Sequence, residues 1–249
     1  MNPGRSVLIL GHAASAFLSG PVAAAGISFE DVTEQADLLE PLEGFLGHGA
    51  AWGDIDRDGD PDLFVGGFAD RPDDDYAPRE GPPPNALFEN LGNGRFGLIR
   101  DSAVSSHART SGAVFADLDN DGWPELIVGN NAKERGRNDR GAIQAQATTR
   151  RTQLFRNASG RFIDISKASG ACPERLRSAR NVIPFDYDHD GLLDLLVVED
   201  RFTKRPRSAL YRNRGGLRFE DITSKAGLPE DLFGLGGAVG RVLPGGGRG

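Results

Sequence analysis

Three short apolar runs recur along the chain: DLFVGG at 62–67, ELIVGN at 125–130 and DLLVVED at 194–200. Each is rich in branched residues and too short for a helix, which predicts a buried strand. Before each run lies an alternating stretch, GAAWGDID, GAVFADLD or NVIPFDYD, that predicts a strand leading into an acidic loop. After each run, and a variable insertion, come ALFEN (86–90), QLFRN (153–157) or ALYRN (209–213). A glycine-bearing turn follows (LGNG, ASG, RGG), and then RFGLI (95–99), RFIDIS (161–166) or RFEDIT (218–223). Turns of this composition between apolar runs predict hairpins. The pattern is a unit of four antiparallel strands, written three times and joined by polar connectors such as SKASG and SKAGL.

Units of this kind are blades of a β-propeller. The predicted fold is all-β, with about three complete four-stranded units, an N-terminal outer strand and a truncated fourth unit. ISFEDVTEQADL at 27–38 matches LRFEDITSKAGL at 217–228, so the N-terminal segment is expected to supply the last strand of a unit. Near the other end GGAVGRVLPGGGRG opens like a fourth unit, but Arg241 and Leu243 stand where acids are expected. The sequence is therefore expected to be truncated or frame-shifted near Arg241. Otherwise three blades would form an open arc whose edges invite pairing with another chain; an open solenoid of hairpins is the alternative fold. Thirty-four glycines and fifteen prolines suit short strands and turns.

Between the first two strands of every unit lies a nine-residue loop of pattern D-x-D-x-D-G-x-x-[D/E]: DIDRDGDPD at 54–62, DLDNDGWPE at 117–125 and DYDHDGLLD at 186–194. Crowded carboxylates repel unless a cation offsets them. Alternate acids in a tight loop suit a hard ion that takes six to eight oxygens, which favours calcium over magnesium. The candidate ligands in the first loop are Asp54, Asp56, Asp58, the Asp60 carbonyl and Asp62, with Gly59 making the turn. The second offers Asp117, Asp119, Asp121, the Trp123 carbonyl and Glu125; the third offers Asp186, Asp188, Asp190, the Leu192 carbonyl and Asp194. About three Ca2+ ions are expected, held at about 10⁻⁴ to 10⁻³ M as in extracellular modules. An EF-hand is excluded, since it needs Glu at position twelve and flanking helices; Val65, Val128 and Val197 stand there, inside strands. Acidic hairpin turns without metal are the plain alternative for one loop, and three in register argue against it.

The strand, the acidic loop, the apolar strand, [LF]-[FY]-x-N, a glycine turn and F-x-D-[VI]-T together resemble FG-GAP or VCBS-type repeats of integrin-α-like propellers, of the cartilage acidic protein and ASPIC/UnbV type. The resemblance spans about residues 27 to 240 and implies a secreted, calcium-stabilised propeller, usually of seven blades. The chain departs from it in having too few blades, no fourth calcium loop and no ASPIC/UnbV region after the array.

The net charge of −7 conceals a local effect. Of 36 acidic side chains thirteen lie in the three loops, leaving 23 against 29 basic ones elsewhere. Acidity confined to loops marks a site rather than a solubilising surface. Cys172 is the single cysteine, so no intramolecular disulfide and no cysteine-based zinc site is possible. Arg5 precedes the apolar SVLILGHAASAFLSG, and AAA at 23–25 offers a cleavage site, which predicts a signal peptide over 1–25, a propeller region over 26–249 and a secreted or periplasmic protein. No other stretch approaches a membrane span.

The long insertions (68–84, 131–150 and 201–207) fall on the face opposite the acidic loops, where function often sits. The first carries Asp73, Asp74 and Asp75; the others are basic through Lys133, Arg135, Arg137, Arg140, Arg150, Arg151, Arg201, Lys204, Arg205 and Arg207. An extracellular protein or acidic polysaccharide is the expected partner, with a solvated loop as the plain reading. No basic and aromatic alternation favours nucleic acid. The competing class is a propeller-fold lyase or hydrolase, but there is no serine elbow, metal-binding histidine pair or phosphate-cradling loop, and His48, His107 and His189 are scattered. The expectation is therefore a binding module rather than an enzyme. Asn157 to Ser159 form a glycosylation sequon in a hairpin, and Trp52 and Trp123 are expected to pack between blades or cover a loop.

Overall fold

A computed structural model describes residues 28–100, 102–132, 143, 147, 150–172, 178–200, 207–229 and 231–240. The chain divides into residues 1–32 and 33–249. The predicted signal peptide lies outside the described residues.

Residues 33–249 contain three four-stranded antiparallel sheets, each in the sequential order of a meander. The first blade runs β1 (Ala50–Gly53), β2 (Asp62–Val65), β3 (Ala86–Asn90) and β4 (Phe96–Leu98). The second runs β5 (Thr110–Ala116), β6 (Glu125–Asn130), β7 (Gln153–Ala158) and β8 (Arg161–Asp164). The third runs β9 (Ala179–Phe185), β10 (Asp194–Glu199), β11 (Ala209–Asn213) and β12 (Phe219–Asp221). No closed ring is formed by these three sheets. Helical turns at Asp73–Tyr76 and Ser166–Ser169 lie in the connections.

The central strands are apolar on both sides because each blade is buried on both faces. Phe64 and Leu87 of the first blade pack with Leu126, Val128 and Phe155 of the second. The alternate residues of the second blade, Ile127 and Leu154, pack with Leu195, Val197 and Tyr211 of the third. On the first blade's other face, Leu63 and Phe88 are covered by Leu38, Leu42 and Phe45. A side chain such as Phe64 or Phe155, fully buried this way, contributes about 2 to 3 kcal/mol. Near the start of the inner strands the blades meet backbone to backbone. A Cβ on Gly49 would lie 3.0 Å from the Gly112 nitrogen, and one on Gly112 would lie 2.6 Å from the Arg180 carbonyl oxygen. Only hydrogen fits between these strands.

On the insertion side short bridges join successive blades, Phe68 to Arg109 and Asn131 to Ser178. Partly buried polar contacts reinforce them: Arg109 pairs with Asp70 of the preceding blade at 3.0 Å, and Asp200, paired with Arg180 of its own blade at 2.6 Å, accepts the Asn131 Nδ2 bond from the second blade at 3.1 Å. The segment 231–240 repeats one of these contacts. Gly234 N–H donates to the Glu199 carbonyl at 2.9 Å, as Thr110 N–H donates to the Gly67 carbonyl at 3.0 Å. It starts a fourth unit without forming a strand among its described residues; Arg241 and Leu243 lie outside them.

Among the described residues the N-terminal segment forms no outer strand. Residues 28–32 carry no strand, and Phe29 is 95 % exposed. Its counterpart Phe219 is buried because β12 pairs with β11. Residues 28–32 have no [LF]-[FY]-x-N strand before them in the sequence, and the third blade already has an outer strand of its own.

Candidate metal centres

Each acidic loop connects the inner strand of a blade to the second strand and is shaped by its own aspartates. Asp117 accepts N–H bonds from Asp121 at 3.1 Å and Gly122 at 3.0 Å, and Asp186 accepts them from Asp190 and Gly191, both at 3.1 Å. In the first loop Asp54 accepts the Gly59 N–H at 3.1 Å. The fifth-position acid bonds the N–H two residues on: Asp58 to Asp60 at 2.8 Å, Asp121 to Trp123 at 2.9 Å, Asp190 to Leu192 at 3.0 Å. Gly59, Gly122 and Gly191 adopt φ of 95°, 86° and 89°, a left-handed turn that glycine makes without strain.

The ninth-position acids, Asp62, Glu125 and Asp194, are buried. Their two oxygens do the same work in every blade. One accepts the N–H of the loop's second residue: Ile55 at 2.8 Å, Leu118 at 2.9 Å, Tyr187 at 2.8 Å. The other accepts the N–H of the asparagine that ends the third strand: Asn90 at 2.7 Å, Asn157 at 3.4 Å, Asn213 at 2.7 Å. The acid thus closes the loop and ties it to the third strand.

Three groups of carboxylates bring ligand oxygens within 4.8 Å of one another: Asp54, Asp56 and Asp58; Asp117, Asp119 and Glu125; Asp186, Asp188 and Asp194. Asp62, Asp121 and Asp190 stand outside these groups, and Asp60, Trp123 and Leu192 contribute the N–H bonds given above. In every group one buried oxygen has no hydrogen-bond partner: Asp54 Oδ1, Asp119 Oδ1 and Asp188 Oδ1. A desolvated carboxylate oxygen without a donor is costly unless a cation meets it. All-oxygen donors fit a hard divalent ion. Without one, burial and the nearby Asp119 and Asp121 charges push the Glu125 carboxyl up to about 7, with burial the larger cause. Burial also raises Asp62, Asp119 and Asp194.

The fourth residues of the loops all have left-handed φ, Arg57 (67°), Asn120 (59°) and His189 (61°), and the first two of them touch the next loop. The Arg57 guanidinium lies 5.4 Å from the centre of the Trp123 ring, and Asn120 Nδ2 donates to the Gly191 carbonyl at 3.0 Å. Trp123 therefore does cover a loop contact. Trp52 does not pack between blades: it is 57 % exposed and meets Phe96 of its own sheet edge-on.

Two kinds of functional residue escaped the sequence reading. The asparagine of [LF]-[FY]-x-N was read as a strand position, yet Asn157 Nδ2 donates to the Ile55 carbonyl at 2.8 Å and Asn213 Nδ2 to the Leu118 carbonyl at 2.7 Å, each in the preceding blade's loop. The same contact buries Asn157, so the sequon at 157–159 is closed to glycosylation in the folded protein. The residue before that asparagine was also missed; in the third blade it is Arg212. The recurrence of Asn at one repeat position was the available signal.

A family model of the FG-GAP-like repeat matches residues 71–128, from the first insertion through the second acidic loop to β6. Within this chain, residues 71–128 therefore resemble an FG-GAP-like repeat. The chain is also similar to Cartilage acidic protein 1 of Mus musculus, 26% identical over 166 residues that cover 63% of this chain and 23% of the relative. Cartilage acidic protein 1 of Homo sapiens matches at the same identity, with 22% of its length covered. The chain thus spans under a quarter of the length of these relatives. No helix among the described residues is long and apolar enough to cross a membrane.

Proposed function

We propose that this chain is an extracellular, non-catalytic, adhesion-type repeat module whose three acidic loops each hold one calcium ion. The observation that carries the reading is the trio of buried, unpartnered oxygens, Asp54 Oδ1, Asp119 Oδ1 and Asp188 Oδ1, one in each carboxylate group. Calcium would supply the missing charge beside them. The chain's own part is to pre-shape each cage through its N–H bonds and to lock it to the third strand through Asp62, Glu125 or Asp194. A bound ion stabilises the folded state by mass action. An extracellular setting, where calcium is abundant, suits weak sites, and both relatives are named for cartilage.

Binding to a protein or acidic polysaccharide is assigned to the insertion side. Of its basic residues Arg150, Arg151 and Arg207 are described; Lys133, Arg135, Arg137, Arg140, Arg201, Lys204 and Arg205 lie outside the described residues. Retention on heparin or alginate is expected to fall when these residues become alanine, and unchanged retention would remove the partner class.

Calorimetric titration of the full chain with calcium tests the metal reading. Three ions per chain are expected, with one lost in each of Asp54→Asn, Asp119→Asn and Asp188→Asn. A chain that takes up no calcium overturns it.

A further inference from the structure

We propose that Arg212 is a resident counter-cation of the third acidic loop, which makes that loop the weakest of the three for divalent ions. The inference rests on reading the loops as cation sites and concerns how they differ. At one repeat position, just before the asparagine of the third strand, the blades carry Glu89, Arg156 and Arg212. In the third blade Arg212 Nη2 forms an ion pair with Asp188 Oδ2 and lies 3.2 Å from Asp190 Oδ2. Asp188 belongs to the third carboxylate group. The Arg212 Nε has no partner, so the guanidinium does not grip a carboxylate with two parallel bonds. One nitrogen instead bridges Asp188, a member of the third group, and Asp190, which stands outside it, while Asp188 Oδ1 stays unpartnered.

The other blades lack this arrangement. Among the described residues Arg156 pairs with Asp121 Oδ2, at a long 3.8 Å and outside the second group, and its charge acts on Asp119 of that group without an ion pair. The first blade has Glu89, so the charge at this position changes by two between the first blade and the third. A divalent ion entering the third loop meets a positive charge that already neutralises one of its ligands. The guanidinium competes for the Asp188 carboxylate, and a unit charge a few ångströms away, partly screened by solvent, lowers affinity by about tenfold. The array is therefore graded, with the first loop filling before the third.

The test is calcium titration of the full chain by calorimetry, with circular dichroism as a check on folding. The wild type is expected to show a weak class of site that Asp188→Asn abolishes. Arg212→Gln is expected to tighten that class about tenfold and leave the others alone, while Arg212→Lys, which keeps the charge, leaves it weak. Arg212→Met, which keeps the aliphatic stem, replaces the glutamine variant if that one fails to fold. A weak class unmoved by loss of the charge, three equivalent sites in the wild type, or loss of a tight class in Asp188→Asn overturns the proposal while leaving calcium binding intact. No calcium uptake in any variant overturns both.

Discussion

The side-chain amide of Asn157 reaches the Ile55 carbonyl at 2.8 Å across 102 residues of sequence, joining the second blade to the acidic loop of the first. Asn213 makes the equivalent bond to Leu118. Asn90 donates instead to the Pro61 carbonyl of its own loop, at 3.1 Å in an exposed setting. Loss of a buried amide that leaves a carbonyl unpartnered costs about 2 kcal/mol. Asn157→Ala and Asn213→Ala are thus expected to lower unfolding free energy by about that amount and Asn90→Ala by about half as much. Urea unfolding at equal m-value measures the difference.

Gly112 tests blade-to-blade contact without touching an acidic loop. A methyl group there would sit 2.6 Å from the Arg180 carbonyl oxygen, so the inner strands would have to separate. Gly112→Ala is expected to cost about 2 kcal/mol or more, in the range of overpacked cores. The control is Gly97→Ala on the outer strand β4, whose added methyl would find its nearest neighbour in the Leu91 side chain, at an ordinary 3.4 Å. Thermal melts of the two variants should separate clearly, the Gly97 variant staying near the wild type.

Glu125 gives the metal-free protein a pH signature. Its folded carboxyl ionises near 7 and its unfolded one near 4.5. Below the unfolded value both states hold the proton and nothing is lost. As pH rises from there to about 7 the unfolded chain gives up its proton first, so stability falls, by on the order of 2 kcal/mol once solvent screening is allowed for. Calcium prefers the ionised carboxylate, so its stabilising effect should grow over the same window. Melting temperature followed from pH 4.5 to 7, with and without calcium, checks both trends, and Glu125→Gln should flatten the metal-free one.

How much of this was legible in the sequence follows from distance along the chain. The strands were readable because stacked blades bury both faces, which writes Leu63, Phe64, Leu126 and Ile127 as unbroken apolar runs. The loops were readable because their ligands fall within nine residues. Contacts between blades were not. The second role of Asn157, the seat of Arg212 between Asp188 and Asp190, and the reach of Arg57 to Trp123 all join residues that no local pattern relates. The N-terminal segment misled for the opposite reason. Phe29 carries the letters of an outer strand, but letters alone do not supply the neighbouring strand that buries Phe219.

The central claim is that a divalent ion completes the three carboxylate groups and thereby stiffens the blades. The most direct measurement is the thermal melt of the full chain in millimolar calcium and again in excess chelator, repeated on the triple variant Asp54→Asn, Asp119→Asn, Asp188→Asn. The account predicts a melting temperature several degrees higher in calcium for the wild type and little response to calcium in the triple variant. A wild-type melting temperature that calcium and chelator leave the same would contradict it.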